Sequence, residues 1–195
     1  MLGMAAILFV AQFAGSSFNS IFQFYTHHRY GWGPPQIALL LMGLGGGNIL
    51  IQSLVSGWAA RRLGERGAVI FGMTLGVAGF AAIGLAPTAP LFWAGLIVVM
   101  FSSISFPNLS SLLSQRVGVD QQGQLQGALA ILFGLAQLVG PIVFSNVFAW
   151  SIGAGKSLDA PGLSLMVGAS LIALGVLLAI RYARAPPALL ASDVG

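Results

Sequence analysis

Charged residues are rare in this chain, and their spacing constrains its fold more than any other feature. Among 195 residues there are eight Lys and Arg and four Asp and Glu. They are Arg29, Arg61, Arg62, Glu65, Arg66, Arg116, Asp120, Lys156, Asp159, Arg181, Arg184 and Asp193. They leave charge-free windows at 1–28, 30–60, 67–115, 121–155 and 160–180, each long enough for the roughly 20 apolar helical residues that cross a bilayer. Because the third window is about twice that length and contains Pro87 and Pro90 near its middle, we predict six membrane helices.

The composition excludes the main soluble classes. Only 6% of the residues are charged and 57% are hydrophobic, whereas roughly a quarter of an ordinary soluble domain is charged. A globular enzyme, a disordered chain and a nucleic-acid-binding protein are therefore disfavoured. An outer-membrane barrel is disfavoured as well, because its strands alternate in polarity every other residue and these apolar runs do not. We expect an all-α integral membrane protein.

The spans are predicted at about 2–26, 35–60, 68–85, 91–113, 123–150 and 162–183, which places a six-helix bundle in residues 1–185. We expect residues 186–195 to be a disordered cytoplasmic tail. Lys and Arg collect on cytoplasmic loops, and the second loop, the fourth loop and the C-terminal end together carry more of them than the opposite side. The expected location is the inner (plasma) membrane, with both termini in the cytoplasm.

Polar side chains inside the spans are the candidates for function, because uncompensated polar groups are costly in lipid. The first span carries Gln12, Ser16, Asn19 and Gln23, whose spacing places them on one helix face. Further amides are Asn48 and Gln52 in the second span and Gln126 and Gln137 in the fifth. One interpretation is hydrogen bonding between helices, and the other is a polar cavity that binds a small-molecule substrate. For the serines around Pro107 in the fourth span, packing is the favoured interpretation.

Signals of enzymatic chemistry are missing from the sequence. It contains no HExxH, G-x-S-x-G or phosphate-loop pattern, and it has no Cys. His27 and His28 are adjacent, but no other His lies in the chain to complete a metal site with them. We therefore expect a non-enzyme with no catalytic residues, no cofactor and no metal site.

The end of the second span carries a recognisable pattern. Residues 57–66 read Gly-Trp-Ala-Ala-Arg-Arg-Leu-Gly-Glu-Arg, which resembles the G-x-x-x-D-R-x-G-R-R signature of major facilitator transporters. Gly57, Arg62, Gly64 and Arg66 match, whereas Arg61 replaces the Asp and Glu65 replaces an Arg. The resemblance implies a cytoplasmic gating loop made of these six residues. The alternative is ordinary positive-inside anchoring.

Two more stretches narrow the resemblance. Residues 120–127 read Asp-Gln-Gln-Gly-Gln-Leu-Gln-Gly, and residues 29–32 read Arg-Tyr-Gly-Trp. Both are similar to the C-terminal half of the tetracycline-resistance branch of drug–proton antiporters. The resemblance covers about residues 10–182 and implies the last six of twelve helices, with Gly140 and Pro141 as a helix-bending pair.

The hypothesis from the sequence is thus a transport module, the C-terminal half of an exporter of tetracycline-like or other small amphipathic drugs by proton antiport. The expected partner is an N-terminal six-helix half or a second copy of the chain. No Asp, Glu, Lys or Arg lies deep in a span, so the proton-handling group would belong to a partner half that is not in this sequence. The alternatives are a non-transporting structural or regulatory six-helix subunit and an inactive transporter fragment.

Overall fold

The protein is a bundle of long helices in a computed structural model that describes residues 2–155 and 160–183. The helices are α1 (Leu2–Tyr30), α2 (Pro34–Leu50), α3 (Ser56–Gly84), α4 (Ala89–Phe101), α5 (Ser105–Ser114), α6 (Gln122–Ile152) and α7 (Leu163–Tyr182). Five helical stretches are long and apolar enough to cross a membrane, the longest being Pro34–Gly84 with 51 residues. Lys156, Asp159 and the expected tail at 186–195 lie outside the described residues.

The 51-residue stretch is two spans joined at one broken residue. A five-residue π-helical turn, Ile51–Val55, connects α2 to α3 without a break. Inside α3 only Gly64 leaves helical geometry, with φ 70° and ψ 162°. A side chain is strained at such a positive φ, whereas glycine is not. The expected loop at 61–67 is therefore wrong in extent, because the only break is a kink at Gly64 and its neighbours in α3 remain helical.

The fourth predicted span is not one uninterrupted α-helix. A 3₁₀ turn, Ser102–Ile104, separates α4 from α5. Pro107 lies in the first turn of α5 and has no N–H for the carbonyl of Ser103, four residues earlier. The tighter turn accommodates this missing hydrogen bond.

The core lies where α1 packs against α6 and α7, and where α3 packs against α4, α5 and α7. Its largest fully buried side chains on α1 include Met4, Ile7 and Ile21. Gly140 on α6 marks a close crossing, because a Cβ there would collide with the Ser16 side chain on α1. Small residues allow such approaches between membrane helices.

Aromatic side chains join the ends of α1 and α3 to the start of α4. The Tyr25 hydroxyl donates to the carbonyl of Ile83 at 2.9 Å, and the Tyr30 hydroxyl donates to the carbonyl of Ala86 at 2.9 Å. The Trp32 ring packs edge-on against Phe92, with the ring centroids 5.4 Å apart. The Arg-Tyr-Gly-Trp stretch thus ties two neighbouring turns together at this end of the bundle.

Candidate substrate cavity

A cavity lies between α1, α2, the end of α3 and the junction of α4 with the 3₁₀ turn. Its volume is about 540 Å³. We call it the polar cavity, and its lining is Gln12, Gly15, Phe18, Asn19, Leu41, Leu44, Gly45, Asn48, Phe80, Val99, Met100, Ser102 and Ser103.

Amides and hydroxyls provide the hydrogen-bonding groups of the polar cavity. Gln12 and Asn19 lie seven residues apart on α1, which is two helical turns, so both reach the same side. Asn48 faces them from α2, one turn before the π-helical turn begins. Each amide offers two N–H donors and a carbonyl acceptor. Together they can bind neutral donors and acceptors of a solute.

The remaining wall of the cavity is apolar. Phe18 and Phe80 lie on the side of α1 and α3, and Leu41 and Leu44 lie on α2. None of the described residues lining the cavity is ionisable. A site with apolar walls and a few placed polar groups is typical for small-molecule ligands, and this one suits an amphipathic molecule that presents uncharged polar groups to it.

The structure separates the predicted site residues into two sets. Gln12, Asn19 and Asn48 line the polar cavity. Ser16 does not, because it is 1% exposed, packs against Gly140 and donates its hydroxyl to the carbonyl of Phe13 at 2.6 Å. In this structure Ser16 is a helix-packing residue, and its assignment to substrate stays a prediction.

The other predicted amides are exposed and lie outside the lining of this cavity. Gln23 is one turn beyond Asn19 on α1, and Gln52 is in the π-helical turn. Gln126 and Gln137 lie on α6, on a face that no described element covers. Their assignment to substrate stays a prediction.

The sequence favoured packing for Ser102 and Ser103, and the structure shows that both line the polar cavity. Ser103 donates its hydroxyl to the carbonyl of Met100 at 2.7 Å, so the hydroxyl's lone pairs remain as acceptors toward the cavity. The signal was Pro107, because a proline frees the carbonyl four residues before it and irregular turns often mark functional positions in helices.

The 57–66 segment fastens three helices at the opposite end of the bundle from the aromatic residues. Glu65 accepts hydrogen bonds from the Ser111 hydroxyl at 2.6 Å and from the Gln115 amide at 2.9 and 3.0 Å. The Arg66 guanidinium donates to the carbonyl of Ile180, near the end of α7, at 2.6 Å. A cation at a helix C-terminus is favourable because the last carbonyls lack helical partners.

The remaining predicted gating residues, Gly57, Arg61, Arg62 and Gly64, are exposed. They are therefore free to contact a neighbouring protein chain, and their gating role stays a prediction. The same holds for helix bending at Gly140 and Pro141, since α6 continues through both residues to Ile152.

Comparison with protein families gives one match over nearly the whole chain. The family model described as Major Facilitator Superfamily matches residues 4–193.

Curated relatives and a solved structure agree with that match. The class C tetracycline resistance protein of Escherichia coli is 30% identical over 168 residues, which are 86% of this chain and 41% of that protein. The class D protein of Salmonella ordonez is 28% identical over 93% of this chain and 44% of its own length. The crystal structure of the human organic anion transporter MFSD10 (TETRAN) matches with a TM-score of 0.74 at 26% identity, over 91% of this chain and 39% of that one. The chain thus spans less than half the length of these relatives.

Proposed function

This chain belongs to the Major Facilitator Superfamily, and we propose that it is the C-terminal six-helix half of a secondary active exporter. The proposed substrates are tetracycline-like or other small amphipathic drugs, and the proposed coupling is proton antiport. Transporters of this superfamily are built from two six-helix halves that rock around a central substrate site.

The polar cavity is the observation that carries the proposal. Its lining combines the amides of Gln12, Asn19 and Asn48 with the aromatic rings of Phe18 and Phe80. Neutral amides can bind the hydroxyl, carbonyl and amide groups of a drug, and the rings can pack on its apolar faces.

The similarity to tetracycline resistance proteins supports the substrate class, and the share of those proteins that is matched supports the half-module. The proposal places an N-terminal half or a second copy on the exposed faces of the π-helical turn, which carries Gln52, and of α6, which carries Gln126 and Gln137. If a partner packed against these faces, the three amides would lie between the two halves and would line the central substrate site together with the polar cavity.

Proton handling is assigned to the partner in this proposal. The described lining of the polar cavity consists of neutral side chains, and intramembrane proton relays use carboxylates or His. The 57–66 segment would close the cytoplasmic side, with Arg61 and Arg62 exposed toward the partner. Both chain termini would lie in the cytoplasm of a cell with this protein in its inner membrane.

Reconstitution tests the proposal. The chain would be purified from its native membranes with whatever six-helix protein accompanies it and placed in vesicles. We expect tetracycline movement that depends on an imposed pH gradient and falls strongly with Asn48→Leu, since the leucine removes an amide but keeps a similar volume.

Two results would reject the proposal. A partner that co-purifies without any tetracycline movement would favour the structural or regulatory subunit. No partner and no movement by the chain alone would favour an inactive fragment. Movement by the purified chain alone would identify a second copy as the partner.

A further inference from the structure

A second, smaller cavity lies deeper in the bundle, among α1, α3, α5 and α7. Its volume is about 170 Å³. We call it the apolar compartment, because the residues that only it contains are mainly hydrophobic, among them Leu8 and Ala11 on α1, Met73 on α3, Leu109 on α5 and Ile172 on α7.

The two cavities share part of their walls. Gln12, Gly15, Phe80, Ser102 and Ser103 line both of them. The shared residues come from α1, α3 and the 3₁₀ turn, so they form a neck between the polar cavity and the apolar compartment. A molecule in the polar cavity can therefore extend a group inward past these side chains.

The neck has open space beside Gly15. A Cβ added at Gly15 would meet no other atom within 4 Å, so the space beside it is empty. Glycine in the middle of a helix lowers its stability relative to alanine. Packing against a neighbouring helix does not account for this glycine, in contrast to Gly140, whose Cβ would collide with Ser16.

The serines around the compartment do not make its wall strongly polar. The Ser103 hydroxyl donates to the carbonyl of Met100 at 2.7 Å, and the Ser105 hydroxyl donates to the carbonyl of Ser102 at 2.8 Å. The protons of these two hydroxyls are satisfied within the chain, so an apolar group beside them leaves neither donor unpaired.

We propose that the apolar compartment is a subsite for one ring-sized apolar group of the transported molecule, and that Gly15 determines which groups enter it. The inference rests on the proposed function for the identity of the ligand. Its volume matches a single ring, since a cavity of about 150 Å³ lined by aliphatic and aromatic residues stays dry and binds benzene. The polar part of the same molecule would remain in the polar cavity beside Asn19 and Asn48.

Thiol labelling tests the subsite without any transport, because the chain has no Cys of its own. Ile172→Cys places a thiol in the apolar compartment, on α7, and Asn48→Cys places one in the polar cavity. N-phenylmaleimide carries a ring and would label both. Adding Gly15→Leu should slow labelling at position 172 by about tenfold, because a more tightly packed neck raises the barrier to entry. The labelling rate at position 48 should change by no more than about twofold, which is far less than a tenfold change.

Gly46→Leu is the matched control, because Gly46 is also helical, has no atom within 4 Å of its Cβ position and lines neither cavity. The series Gly15→Ala, Gly15→Val and Gly15→Leu should slow labelling at position 172 progressively, which keeps the test decisive if the leucine variant misfolds. Equal labelling at position 172 in the Gly15 and Gly46 variants would overturn the proposal.

Protection by two small amides identifies the group that enters. Benzamide should protect Ile172→Cys from N-phenylmaleimide, whereas acetamide, which has the amide but no ring, should not. Equal protection by both would overturn the proposal. If benzamide protects but the reconstituted protein moves no tetracycline, the proposed function fails and the subsite stands. If tetracycline moves and benzamide gives no protection, the subsite alone fails.

Discussion

The carboxylate of Glu65 accepts a hydrogen bond of 2.6 Å from the hydroxyl of Ser111, 46 residues further along the chain. The contact joins the residue after the break at Gly64 to the middle of α5. In the major facilitator signature that this segment resembles, an arginine stands where Glu65 is found. The acidic replacement thus accepts a hydrogen bond within this chain, which a cation in its place could not do.

Breaking this bond should destabilise the bundle measurably. We expect Ser111→Ala to lower the free energy of unfolding by about 1–2 kcal/mol. This value is at the low end for hydrogen bonds to charged groups, because Glu65 is only half-buried. Glu65→Ala should cost at least as much, because it also removes the bonds from Gln115, and the double variant should cost little more than Glu65→Ala alone, because the bond to Ser111 is already gone. Thermal unfolding in detergent measures the loss, and Ser110→Ala is the neighbouring control. Additive losses in the double variant would show that the two residues act independently.

Water accessibility should divide the residues of α1 by their place in the structure. We expect cysteines at positions 12 and 19 to react with a charged, membrane-impermeant thiol reagent in open membrane fragments, as both line the polar cavity. Cysteines at positions 16 and 21 should react much more slowly, because Ser16 is 1% and Ile21 is 0% exposed. Rapid labelling at position 16 would mean that α1 is rotated from its described orientation. The introduced thiols are the only ones present, so the label reports one site at a time.

Much of the fold followed from the spacing of charges, because a bilayer admits helices of one length and leaves few alternatives. The exact ends of the helices and the breaks between them did not follow from the spacing of charges. Whether 61–67 forms a loop or a single-residue break depends on Gly64 taking a positive φ, and composition alone does not fix that angle.

The candidate site was predictable only to within one helix turn. Ser16 and Asn19 lie on the same broad face of α1 by their spacing, yet Ser16 faces Gly140 and Asn19 faces the polar cavity. Neighbouring helices decide this difference, and a single helix's periodicity carries no information about which neighbour covers each side. Ser103 was similarly hidden, because its exposure depends on how Pro107 alters the helix before it.

The crossing of α1 and α6 should be sensitive to side-chain size at Gly140. We expect Gly140→Ala to cost about 1–3 kcal/mol, the usual penalty for overpacking, because the added methyl group would collide with Ser16. Gly134→Ala on the same helix should be neutral or stabilising, since its Cβ position is open. Unfolding at increasing concentrations of a denaturing detergent compares the stability of the two variants. Combining Gly140→Ala with Ser16→Gly should recover most of the loss, and no recovery would place the strain elsewhere.

The two tyrosine hydroxyls at the other end of the bundle should contribute unequally to stability. Tyr25 is 1% exposed and donates to the carbonyl of Ile83, whereas Tyr30 is only half-buried and donates to Ala86. We expect Tyr25→Phe to lower the free energy of unfolding by about 1 kcal/mol, the typical net value of a buried hydrogen bond, and Tyr30→Phe to lower it by less, because water can replace the lost partner. Tyr182→Phe is the control, since this exposed ring packs near Arg181 through its face and not its hydroxyl. If Tyr182→Phe lowers the free energy of unfolding as much as Tyr25→Phe does, the effect comes from losing any tyrosine hydroxyl and not from losing the hydrogen bond between α1 and α3.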